Sequence, residues 1–168
     1  MASDTILLTG TAMTLDRKFD PFSDSATLPC REVFTSRVID APLTRVYQAF
    51  SDPHQLAQWW GPKGFSCTFQ EFDLRPGGKW QYILRSPDGL NHNTECMFLD
   101  VMPETLVIIR HELNPQFQLS ITFENQGRQT IVCSSHVFNS LAEYQQAGSF
   151  AFRSDEERLE RLASFLKG

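Results

Sequence analysis

Trp59-Trp60-Gly61-Pro62-Lys63-Gly64-Phe65, the centre of a longer stretch from Asp52 to Tyr82, decides how this chain is read. Two adjacent tryptophans close a short helical pattern, a Gly-Pro-Lys-Gly turn follows, and a strand pattern opens at Phe65. Each indole can bury ~150 to 250 Å², so both need cover. Neighbours on a helix point about 100° apart. One indole is therefore expected to face the core and the other a groove, a rim or a partner. The pair poses the functional question for the whole chain: a closed core, or one wall of a ligand cavity.

Working outward, Glu32 to Ile39 is rich in β-branched and aromatic residues and predicts a first strand. Asp40-Ala41-Pro42 stops it and opens a helix whose apolar face carries Val46 and Phe50. Asp52-Pro53 marks a second helix start, with Asp52 as N-cap. After the tryptophans the chain reads as a strand meander. Phe65, Cys67, Phe69 and Phe72 nearly alternate, Pro76-Gly77-Gly78 turns, and Trp80, Tyr82 and Leu84 alternate against Lys79, Gln81, Ile83 and Arg85. Ser86-Pro87-Asp88-Gly89 is a second turn. Four more strands are predicted over 94–101, 105–112, 116–124 and 128–138. The clearest sets Phe117, Leu119, Ile121 and Phe123 against Gln118, Ser120, Thr122 and Glu124, with one face buried and one wet. Asn139 is placed as the cap of a closing helix, whose Leu159, Leu162, Ala163 and Leu166 fall at i, i+3, i+4, i+7. Tyr144 and Phe152 extend that stripe backwards. Gly148 and a capping-box pattern at Ser154 to Glu157 predict a kink or break between Gly148 and Ser154.

The 168 residues are 41% hydrophobic and 21% charged, with net charge -5, which fits one globular domain with a short appendage. Residues 1–31 read as an extension, mostly irregular, with an edge strand near Thr5 to Thr9, and 32–168 as the domain. The acidic balance without a basic run argues against nucleic acid. No apolar run approaches the ~20 residues of a membrane span. The N-terminus lacks the pattern of a secretory signal, and a cytoplasmic location is expected. Cys30, Cys67, Cys96 and Cys133 form no CxxC pair, so no metal site is expected, and no cofactor either.

Several of these motifs, in this order, carry a resemblance. Val33 to Pro42, Asp52-Pro53, the Trp59 to Phe65 block, Asp73 to Trp80, Ser86 to Gly89 and Val101 to Val107 resemble the START-like (SRPBCC, Bet v 1-like) superfamily. Within it they are most like the proteins related to the C-terminal domain of the Hsp90 ATPase activator Aha1. The resemblance covers about residue 32 to the C-terminus. It implies an α+β helix-grip fold, in which a curved antiparallel sheet of six to seven strands wraps a long C-terminal helix, with two short helices after the first strand. It also implies a cavity that accepts small apolar molecules in many relatives. Where relatives often carry a Gly-Trp pair in the final helix, this chain has Gly148-Ser149-Phe150.

The cavity candidates are Trp59, Trp60, Trp80, Tyr82, Phe98, Phe117, Ser134, His136, Phe138, Tyr144 and Phe152. Most are aromatic and would serve equally as core. By alternation Val132, Ser134, His136 and Phe138 share a face, and Phe138 marks it as inner, so His136 is the leading polar group. Arg110 and His111 are strand neighbours, so only one faces inward. Ser134 and His136 are an i, i+2 pair with no third group or oxyanion site in view. No nucleophile elbow, zinc-helix or phosphate-loop motif occurs, and no catalytic residue is assigned. The leading reading is binding of a small hydrophobic or amphipathic ligand. The second is a protein-interaction module of the co-chaperone kind, built on an exposed indole. The third is a cyclase- or aromatase-like enzyme using His136 or Tyr82 as proton relay. A homodimer is left open.

Overall fold

The computed structural model describes residues 30–168. The expected extension with its edge strand near Thr5 to Thr9 lies outside the described residues. Strand β1 (Glu32–Ile39) leads into helices α1 (Leu43–Ser51) and α2 (Pro53–Trp59). Six strands follow: β2 (Ser66–Phe72), β3 (Lys79–Arg85), β4 (Asn91–Met102), β5 (Leu106–His111), β6 (Phe117–Gln126) and β7 (Gln129–Phe138). Helix α3 (Leu141–Lys167) closes the chain. The strands form one antiparallel sheet in the order β1-β7-β6-β5-β4-β3-β2, the meander of β2 to β7 with β1 added beside β7. This is the helix-grip α+β fold that the motif order implies.

Strand alternation sets which side chains reach the core. On β6 Leu119, Ile121 and Phe123 are buried while Gln118, Thr122 and Glu124 lie outside. On β2 the pairing slips between Phe69 and Glu71. This bulge lets Phe72, three residues after Phe69, return to the inner face. There it meets Trp80 edge-on at 5.5 Å. The two short helices meet at Asp52, whose Oδ1 accepts from the His54 N–H at 2.9 Å and caps α2. They bury Val46, Phe50, Leu56 and Trp59 against the sheet.

Three expectations about α3 are corrected. Its N-cap is Ser140, not Asn139, because the Ser140 hydroxyl accepts from the Glu143 N–H at 3.1 Å. The helix also runs unbroken through Gly148 and Ser154. Gly148 makes room rather than a break: a Cβ there would stand 3.1 Å from the Tyr144 ring. The buried stripe runs Gly148, Asp155, Leu159, Leu162, and Phe152 falls outside it at 49% exposure.

The tryptophan hinge is fully covered. Trp59 and Trp60 are 3% and 2% exposed. The Trp59 indole N–H donates to the Ala49 carbonyl at 2.9 Å, tying α2 to α1. Arg161 of α3 donates to the carbonyls of Gln58, Gly61 and Pro62, each at 3.0 Å, and so holds the turn against the long helix.

Candidate functional site

Between the sheet and α3 lies a cavity of about 410 Å³. The sheet supplies Tyr82 and Leu84 from β3, Thr94 from β4, His111 at the end of β5, Phe117 at the start of β6, and His136 and Phe138 from β7. The helix supplies Ala147, Phe150, Ala151, Ser154 and Arg158, a face whose small residues at 147 and 151 leave the space open. His92 from β4, Pro115 from the β5–β6 connection, and Pro62 and Phe65 from the tryptophan turn complete it. Its volume falls within the ~300 to 1,000 Å³ usual for small-molecule sites.

Beside this cavity, and joined to it by His136 and Arg158, lies a polar cluster centred on Asp155, which is completely buried. Asp155 Oδ1 accepts from Arg158 Nη1 at 2.9 Å, and Oδ2 accepts from the Ser134 hydroxyl at 3.1 Å. The same Oδ2 lies 2.7 Å from His136 Nδ1, an ion-pair distance without a well-aligned N–H bond. Burial alone would raise the Asp155 carboxyl, but Arg158, His136 and Ser134 outweigh it and hold the pKa below its ordinary value. Arg158 also lies with its guanidinium carbon 4.0 Å over the Trp60 ring. The polar cluster is thereby fastened to the opening motif of the fold.

Three further groups have environments that fix their state. His111 stacks on Phe117 at 4.6 Å and 8°, and burial lowers its pKa, favouring the neutral ring. Burial pushes the Tyr82 hydroxyl well above its ordinary value, so it stays protonated. Arg110 points outward and pairs with Glu112 at 2.8 Å, so His111 is the inward member of that strand pair. No carboxylate lines the cavity, although the chain carries net charge -5.

The structure gathers some sequence candidates and separates others. Tyr82, Phe117, His136 and Phe138 line the cavity. Trp60 and Trp80 sit behind it around a void of about 30 Å³ that shares Tyr82, Phe117 and His136 with it. Trp59 packs in the core, and Phe98 stacks on Trp80 at 5.7 Å and 6°. Ser134 is turned to Asp155 and not to His136, so the pair is not a nucleophile with its base. Tyr144 and Phe152 line a surface groove beside β1. Sequence reading missed Asp155 and Arg158. The available signal was spacing: Asp155 lies four and seven residues before Leu159 and Leu162, on the same stripe.

Comparison with known proteins agrees with this architecture. No protein of curated function matches the chain significantly. Among solved structures, a protein from Arthrobacter aurescens aligns with a TM-score of 0.76 at 21% identity, over 82% of this chain and 86% of its own. Protein NE0264 from Nitrosomonas europaea gives 0.73 at 20% identity, over 81% and 94%. Protein CV1439 from Chromobacterium violaceum gives 0.71 at 24% identity, over 80% and 96%. At these identities the likeness is one of fold. The model of the activator of Hsp90 ATPase homolog 1-like proteins matches residues 40–167, which span both short helices, β2 to β7 and α3. The chain therefore belongs to the activator of Hsp90 ATPase homolog 1-like family.

Proposed function

We propose that the domain binds a small hydrophobic or amphipathic molecule in the cavity between the sheet and α3. The observation that carries this reading is the cavity itself, about 410 Å³ with aromatic walls and a polar inner end at His136 and Arg158. A ligand burying ~200 Å² of apolar surface there would gain roughly 5 kcal/mol before the cost of association. The polar groups would orient it.

The test is direct. The purified protein is exposed to a metabolite extract and examined by native mass spectrometry, alongside Ala151→Phe, which fills the cavity from the helix side. A bound mass retained by the natural chain and lost in the variant supports the reading. Failure of the natural chain to retain any small molecule would count against it. The protein-interaction reading drew on an exposed indole, and with Trp59 and Trp60 both buried that support is gone. What remains for it is family membership alone.

A further inference from the structure

The void of about 30 Å³ behind the cavity is walled by groups that give hydrogens. Trp60, Trp80 and Arg158 all line it, and each has a buried N–H with no protein acceptor: Nε1 of both indoles and Nε of the guanidinium. The two indoles are 2% and 0% exposed. Their rings lie 4.8 Å apart, and the Arg158 guanidinium carbon stands 4.0 Å over the Trp60 ring, so the three donors share one neighbourhood. Tyr82 packs on Trp80 at 4.8 Å and joins Cys96 in the same wall. Burial keeps the Tyr82 hydroxyl and the Cys96 thiol protonated. The hydroxyl is close enough to feel the Trp60 N–H, yet the two make no well-formed hydrogen bond.

Indole and guanidinium N–H groups only donate, and burying one without an acceptor is costly. No Asp, Glu, Asn or Gln lines the void. The Asp155 carboxylate accepts from Ser134 and from Nη1 of Arg158, which leaves the Nε edge of the guanidinium unmatched. A water molecule fits the volume, but with its two lone pairs it leaves at least one of the three N–H groups without a partner. An anion accepts from all three, and charge-assisted hydrogen bonds are the stronger kind. Size narrows the class. A void that admits about one water-sized body has no room for phosphate, sulfate or a carboxylic acid, and suits a monatomic halide. The imidazoles of His111 and His136 also line the void. The donor count does not depend on their charge, because it rests on the indole and guanidinium groups alone.

We propose that this void is a halide site, in which one chloride-class anion accepts hydrogen bonds from Nε1 of Trp60, Nε1 of Trp80 and Nε of Arg158. It is separate from the larger cavity, and neither needs nor excludes a ligand there. The anion joins β3, the tryptophan hinge and α3 through one centre, and it exists as a site only in the folded chain.

The experiment is urea unfolding at fixed ionic strength, with sodium chloride replacing sodium gluconate. A ligand of the folded state alone raises the folding constant about tenfold for each tenfold of free ligand once the site fills, and chloride is expected to do so. Trp80→Phe keeps a ring and removes one N–H, and is expected to lose most of that dependence. A folding constant indifferent to chloride overturns the inference, and so does an equal chloride dependence in Trp80→Phe. A second measurement needs no variant. In crystals grown from sodium bromide, an anomalous bromine peak is expected within hydrogen-bond reach of Nε1 of Trp60 and Trp80. An ordinary water there, with no anomalous peak, overturns the halide and leaves the reading of the larger cavity untouched.

Discussion

The guanidinium of Arg158 lies 4.0 Å over the ring of Trp60, joining the helix that closes the fold to the tryptophan pair that announces it. The same guanidinium holds Asp155 at 2.9 Å. One arginine thus serves an aromatic face and a buried carboxylate together, which couples the stability of the hinge to the polar end of the cavity.

Asp155→Asn should be strongly destabilising. Breaking a buried pair by neutralising one member leaves the other charge unmatched, at a cost of about 3 to 5 kcal/mol. Arg158 is only 12% exposed, so water offers it little relief. The double variant Asp155→Asn/Arg158→Met should recover part of the loss. Urea unfolding of the two single variants and the double variant measures this. A double variant no more stable than Asp155→Asn would show that the pair is not the source of the effect.

Stability should fall with acid in two windows. The Asp155 carboxyl titrates below its ordinary 3.8 in the folded state, so its contribution is present above that pH and is lost as pH falls through the folded value. His111 is lowered from 6.5 by burial, so the unfolded chain takes up the proton first. Its penalty therefore begins as pH drops below about 6.5 and stops growing below the folded value. Urea midpoints from pH 8 to 3 should show both slopes, and His111→Gln should flatten the upper one alone.

Gly61→Ala should cost more than Gly77→Ala. Both glycines have positive φ, +102° and +81°, a conformation that costs other residues about 1 to 3 kcal/mol. At Gly77 an added Cβ meets nothing within 4 Å, whereas at Gly61 it would stand 2.8 Å from Leu84 Cδ2. Thermal unfolding of the two variants separates backbone strain from contact. Equal losses would mean that Leu84 yields freely.

Cys67 and Cys96 should be inert in the native protein. Burial pushes both thiols up to about 12, so little thiolate exists at pH 8. Iodoacetamide labelling read by mass spectrometry should leave both unmodified until denaturant is added. Rapid native labelling of Cys96, which is 6% exposed, would mean that the sheet opens locally.

Much of the fold was legible because its signals are local. Proline and glycine at turns, the Asp52 cap and the alternation of β6 are each written within a few residues, and the structure places all of them as read. The unbroken course of α3 was not legible. Gly148 and the Ser154 to Glu157 run look like a stop until tertiary packing puts Tyr144 over the glycine and buries Asp155. Packing overrides local propensity there.

The sequence by itself determined the element order and the inward face of β7 with Ser134 and His136, but not that both tryptophans of the hinge are covered. Only the tertiary structure decided that Asp155 meets Ser134 across 21 residues of chain, and that His111 rather than Arg110 turns inward. It alone decided which aromatics line the cavity and which fill the core. The physical reason is range. Periodicity and turn chemistry act between near neighbours, whereas a cavity and a buried charge cluster exist only where separate elements meet.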